Sequence, residues 1–114
     1  MCGICGELRF DQSVPDRAVL QRMSARLARR GPDHEGFYSD GALAFGHRRL
    51  AIIDLSADAD QPMVDEDLRL SLVFNGTIYN YRELRAELIE LGYVFVTSGD
   101  SEVILKATVH SLLM

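Results

Sequence analysis

Tryptophan is absent from this chain of 114 residues, and cysteine and proline are scarce, at two and three residues. Two cysteines, Cys2 and Cys5, cannot staple a disulfide scaffold and suit a reducing compartment. No apolar run approaches the roughly 18 residues that span a bilayer. The opening MCGICGELRF lacks the basic and apolar regions of a signal peptide. The expected location is therefore the cytoplasm. An excess of positive charge is missing too: twelve Lys and Arg against seventeen Asp and Glu leave a formal charge of -5. Such a balance offers no electrostatic footprint to nucleic acid or to an anionic membrane. What remains, 47% hydrophobic and 25% charged residues over the length of one small domain, is the composition of a globular chain.

No internal repeat or low-complexity segment interrupts the sequence. Residues 2–10 are expected to form a strand. Ser13 is placed as an N-cap, and Pro15 suits a first helical turn. Val19, Leu20, Met23 and Leu27 then recur at helical spacing, with Arg17, Arg22, Arg26, Arg29 and Arg30 on other faces. Arg30-Gly31-Pro32-Asp33 stops this helix. Short strands are expected over 36–39, 42–47 and 49–54, where Ile52 and Ile53 supply β-branched content. The acidic stretch 56–67 reads as a loop, and 68–74 as a buried strand ending at Asn75-Gly76. Leu84, Leu88 and Leu91 mark a second helix that Gly92 stops; residues 93–97 form another strand; Ser98-Gly99-Asp100 leads into a third helix. The fold class is α+β with mostly short antiparallel strands. The last helix reaches Met114 with Val109, Leu112 and Leu113 still apolar and no closing cap, so the chain is expected to be truncated.

Cys2 follows the initiator Met1, and its small side chain permits removal of that residue. Cys2 would then carry a thiol beside a free α-amine. An α-amine titrates at about 7.7–8.0, so one residue can supply both nucleophile and general base. A cysteine at position 2 can equally be without consequence, but further motifs accompany it. They are Arg30-Gly31-Pro32-Asp33 with Gly36 beyond; Gly46-His47-Arg48-Arg49-Leu50-Ala51-Ile52-Ile53-Asp54; Phe74-Asn75-Gly76-Thr77-Ile78-Tyr79-Asn80; and Asp100-Ser101-Glu102-Val103-Ile104-Leu105. With Cys2-Gly3-Ile4-Cys5-Gly6, this order resembles the class II glutamine amidotransferase domain, an N-terminal-nucleophile hydrolase, in its asparagine synthetase branch. The resemblance reaches to about Lys106.

The resemblance implies an αββα sandwich, larger than this chain, that releases ammonia from glutamine through a γ-glutamyl thioester. Cys2 matches the nucleophile. The side chain of Asn75 and the backbone N–H of Gly76 match the oxyanion donors, each worth roughly 2.7–4 kcal/mol in such sites. Out of context Asn75-Gly76 is also an ordinary turn dipeptide. Arg49 matches the residue that takes the α-carboxylate, for which a planar guanidinium fork is suited. Asp100 matches the partner of the α-ammonium; the bland alternatives are a surface arginine and a helix N-cap. Thr77 departs from the pattern, standing where most relatives have Glu, and is expected to weaken glutamine binding by about 1–2 kcal/mol. The turn Ser98-Gly99-Asp100-Ser101 is a milder departure.

Other signals carry less. Cys2-Gly3-Ile4-Cys5 is formally C-x-x-C, but His34, His47 and His110 are scattered and a strand would send the two sulfurs to opposite faces, so no metal site is expected. Asp58, Asp60, Asp65, Glu66 and Asp67 fit no Ca²⁺ loop and read as solvated. Tyr79 and Tyr81 read as packing residues. No phosphate-cradling Gly-rich loop is present, so no cofactor is expected; ATP and Mg are expected only for a synthetase domain that this sequence lacks. The functional expectation is glutamine amide hydrolysis supplying ammonia to an asparagine-synthetase-like reaction. The alternatives are a non-catalytic fragment that self-associates or pairs with a partner chain, and an amino-acid-binding module without chemistry.

Overall fold

A computed structural model describes residues 1–113, so residue 114 of the expected third helix, like the side chain of Leu113, lies outside the described residues. Strands β1 (Gly3–Leu8), β2 (His34–Asp40) and β3 (Leu43–Arg49) form an antiparallel sheet in the order β1-β3-β2. Helix α1 (Arg17–Arg26) packs against β1 and β3. Leu20 of the helix joins Cys5 and Ala44 in a buried core, with Leu27 and Phe37 packed around them.

The alternation of a strand gives β3 two separate duties. Ala44 and Arg48 face α1, where the Arg48 Nε donates to both oxygens of the fully buried Ser24, at 3.1 Å (Oγ) and 3.2 Å (carbonyl). His47 and Arg49 face the other way. On that side lie a 3-10 turn (Ala57–Ala59) and a two-stranded antiparallel sheet of β4 (Met63–Asp65) and β5 (Leu70–Leu72). Helix α2 (Tyr81–Glu90) packs on α3 (Ser101–Leu113), and α3 on β5. Gly92 ends α2 with φ of +99°, the left-handed conformation that favours glycine. The result is a mixed α+β fold with antiparallel sheets, 43 × 32 × 19 Å in extent.

Several expectations are corrected. Residues 49–54 leave the sheet after Arg49, and residues 93–97 form no strand. In both places polar groups occupy backbone positions that a neighbouring strand would use. The Ala51 N–H donates to Asp33 at 2.8 Å. The N–H groups of Val96 and Thr97 donate to the Glu102 carboxylate at 3.0 and 2.7 Å. The expected strand over 68–74 shortens to β5, and the expected loop over 56–67 contains β4. The N-cap of α1 is Asp16, which accepts from the Ala18 N–H at 2.9 Å; Ser13 instead donates its N–H and hydroxyl to Asp11. Tyr79 does not pack: it is 94% exposed. Among the described residues no helix is long and apolar enough to cross a membrane.

Candidate active site

The sheet face opposite α1 forms part of the wall of a cavity of about 150 Å³. Pockets for drug-sized ligands run to roughly 300–1,000 Å³, so this one is small and suits a ligand of amino-acid size. Cys2, Arg49, Asn75, Gly76 and Asp100 all line it, as do Thr77 and Met1.

Cys2 is held from several directions. The Leu50 N–H donates to its sulfur at 3.4 Å, the thiol lies 3.8 Å from the Leu50 carbonyl, and the Arg30 Nε donates to its backbone oxygen at 3.3 Å. The segment that follows Arg30 serves the same corner. A Cβ on Gly31 would lie 2.2 Å from the carbonyl carbon and oxygen of Arg48, so only glycine lets the chain pass this close. Asp33 then returns to the sheet edge, its N–H donating to the Arg49 carbonyl at 2.9 Å and its carboxylate accepting from Ala51. Cys5 lies on the α1 side of β1, its thiol 3.9 Å from the Leu20 carbonyl, and burial pushes that thiol's pKa up.

Arg49 is buried rather than a surface arginine, and it is aimed by Asp60 and Ser56. Its Nη1 donates to Asp60 and to the Ser56 carbonyl, both at 2.7 Å, leaving Nε and Nη2 without an internal partner among the described residues. Asp60 also sits 3.2 Å from His34. Asp100 stands immediately before α3, yet its carboxylate does not cap that helix. Oδ2 accepts from the Ile78 N–H at 2.9 Å, tying α3 to the Asn75–Thr77 loop, and Oδ1 takes no hydrogen bond among the described residues. Asn75, Gly76 and Thr77 are exposed at the cavity.

Four further residues shape the site without having been singled out for it from the sequence: His47, Asp54, Asp60 and Gln61. Asp54 is buried and bridges two loops. Oδ1 accepts from the Ser56 N–H and hydroxyl at 2.8 and 2.6 Å, and Oδ2 from the Ser98 N–H and hydroxyl at 2.8 and 3.0 Å. The Ser56 hydroxyl, followed by the backbone N–H groups of Ser98 and Ser56, holds its carboxyl far below the usual range. His47 is fully buried, with Nε2 3.2 Å from the Phe74 carbonyl and Nδ1 unpartnered; burial lowers its pKa. The reading of the acidic stretch as solvated is corrected at two positions, since Asp60 pairs with Arg49 and Asp65 with Lys106 at 2.5 Å. Asp60 carried a faint signal, as a carboxylate near an arginine expected to be aimed at ligand; nothing in the order of residues marks Gln61. Among the described residues no three His, Cys, Asp or Glu side chains are grouped to hold a metal ion.

Residues 1–111 match the glutamine amidotransferase domain family. The chain belongs to that family. This amidotransferase domain is 40% identical over 113 residues to the glutamine-hydrolyzing asparagine synthetase 1 of Bacillus subtilis (strain 168), a match covering 96% of the chain and 18% of the relative. It is 43% identical over 105 residues to the glutamine-hydrolyzing asparagine synthetase 1 of Arabidopsis thaliana, covering 91% of the chain and 18% of the relative. The corresponding synthetase of Sandersonia aurantiaca is 44% identical over 105 residues, covering 91% and 19%. The amidotransferase domain thus spans under a fifth of the length of these relatives.

Proposed function

We propose that this domain hydrolyses the side-chain amide of glutamine through Cys2 and supplies the ammonia to an asparagine-synthetase-like reaction. The observation that carries the reading is convergence: Cys2, Arg49, Asn75, Gly76 and Asp100 come from separate stretches of the chain and line one cavity of amino-acid size. Removal of Met1 frees the Cys2 α-amine, which takes the thiol proton. The sulfur attacks the amide carbon, and negative charge develops on the amide oxygen. Asn75 and the Gly76 N–H stabilise that charge as the C–N bond breaks, and ammonia leaves with the proton returned by the amine. Water then cleaves the thioester to glutamate and regenerates the thiol. Arg49, through its free nitrogens, takes the α-carboxylate; Asp100, through Oδ1, takes the α-ammonium, unaided by a carboxylate at Thr77.

This chemistry runs on the chain's own side-chain and main-chain groups and calls for no cofactor; ATP and Mg are assigned to the synthetase half of the reaction. The wider architecture we assign is the αββα sandwich of N-terminal-nucleophile hydrolases, of which these residues form the N-terminal part. A reducing cytoplasm suits a free Cys2 thiol.

The test is intact mass before and after treatment with an electrophilic glutamine analogue. The expected result is loss of Met1 and gain of one label, competed by glutamine and abolished by Cys2→Ala. Retention of Met1, or no label on a chain that has lost it, would overturn the reading. A second reading, a non-catalytic piece that self-associates, draws on the exposed Ile52, Leu55, Val94 and Val96.

A further inference from the structure

Phe74 follows β5 and directly precedes Asn75, but its backbone pairs with no strand. Its N–H donates to the Gln61 Oε1 at 2.6 Å, and its carbonyl lies 3.2 Å from the His47 Nε2. Two side chains thus supply what a neighbouring strand would. The carboxamide of Gln61 also reaches the other side of the cavity, where Nε2 donates at 3.3 Å to the hydroxyl of Ser101, the residue after Asp100. A carboxamide offers an acceptor and a donor in one planar group, so one side chain serves both partners. Gln61 is itself buried and seated against the sheet. A Cβ on Gly36 of β2 would lie 2.2 Å from the Gln61 carbonyl oxygen.

We propose that Gln61 is a positioning residue that sets the spacing between Asn75–Gly76 and Asp100 across the cavity. The proposal rests on the glutaminase reading, in which these groups act on opposite ends of one substrate. Asp100 adds a parallel tie through the Ile78 N–H, whereas Gln61 joins Ser101 to Phe74, the residue that delivers Asn75. His47 grips that residue as well, without reaching the head of α3.

The test compares Gln61→Met, of similar volume and without hydrogen bonds, with Gln61→Glu, which keeps the acceptor for Phe74 and can accept from the Ser101 hydroxyl. Amide hydrogen exchange reads the segment directly. In Gln61→Met the Phe74 amide loses protection while the β1 and β3 amides keep theirs. Labelling of Cys2 by the glutamine analogue then falls ~10–100-fold, the scale of an ångström of misplacement, while labelling by iodoacetamide is unchanged. Gln61→Glu restores the Phe74 protection and much of the analogue labelling. Unchanged Phe74 exchange in Gln61→Met would overturn the proposal, as would lost protection with full analogue labelling. Should Gln61→Met also unprotect the sheet, Ser101→Ala severs the far bond alone and lowers analogue labelling in the same sense; full labelling in that variant counts against the proposal. A wild-type chain that reacts with iodoacetamide and never with the analogue fails the glutaminase reading, and Phe74 exchange then decides separately whether Gln61 holds the segment.

Discussion

His47 and Asp54 are the two buried titratable groups under the cavity whose protonation states the fold biases most clearly, and they act in different pH windows. Burial disfavours the charged imidazole; the Phe74 carbonyl opposes this in part, while His34 and Arg49 nearby reinforce it. The unfolded chain therefore takes up this proton at about pH 6.5, before the folded one does. Stability is full above that value and declines as pH falls from it toward the depressed folded value. Asp54, whose carboxyl is held down by Ser56 and Ser98, contributes above the ordinary carboxylate range and loses its contribution as pH falls through its lower folded value. Urea unfolding followed from neutral to acid pH should show a decline beginning near pH 6.5 and a second one below about pH 4. His47→Gln, which keeps a donor for Phe74, should flatten the first and leave the second. A first decline of the same size in that variant would place its origin elsewhere.

At the scale of elements, the run Arg30–Asp33 does not stop α1, which already ends at Arg26 with Leu27 as its C-cap, but ties the following chain to the sheet. Arg30 holds Cys2, Gly31 admits the Arg48–Arg49 backbone, and Asp33 holds Ala51, so one turn registers the N-terminus against β3. Gly31→Ala should cost about 1–3 kcal/mol, the scale of overpacking, and should lower analogue labelling of Cys2 by displacing Leu50; thermal denaturation and labelling kinetics measure both. Unaltered stability would mean that the backbone there yields without cost. The sequence made α1, α2, α3 and the strands β1, β2 and β3 legible through apolar and β-branched patterning, but not the pairing order of the strands or the caps of α1. It misread residues 49–54 and 93–97, where β-branched side chains suggest strands but Asp33 and Glu102 take backbone donors. The cavity residues Cys2, Arg49, Asn75, Gly76 and Asp100 were legible through motif order. Asp54 ends the motif Gly46–Asp54 with nothing local to mark its role, and Gln61 lies outside every motif. Their importance depends on which distant serine or peptide group each one meets, and local spacing does not encode that.

At the largest scale, the described residues form a thin body, 19 Å across its shortest axis, with apolar side chains uncovered on the loops around Asp54 and Ser98. Ile52 and Leu55 lie on the loop that Asp54 fastens to Ser98, and Val94 and Val96 lie on the segment leading to that serine; all are more than 70% exposed. Neighbouring apolar residues left open in this way favour association. Sedimentation equilibrium should show a mass above the monomer that rises with concentration, and Val94→Ser with Val96→Ser should return it to the monomer. A monomer at all concentrations would show that the exposed residues are not a contact surface.

Arg48 and Arg49 are adjacent in sequence and alike in chemistry, yet β3 assigns them to opposite faces. A drifting lineage would feel them differently. Change at Arg48 is filtered by whether the helix stays on the sheet, and could be offset by repairs around Ser24. Change at Arg49 is filtered by what the cavity can hold, and repairs in α1 cannot reach it. A single-residue slip of β3 would exchange the two while leaving the composition of the strand untouched. Two adjacent arginines thus answer to separate physical constraints, one set by the helix and one by the cavity.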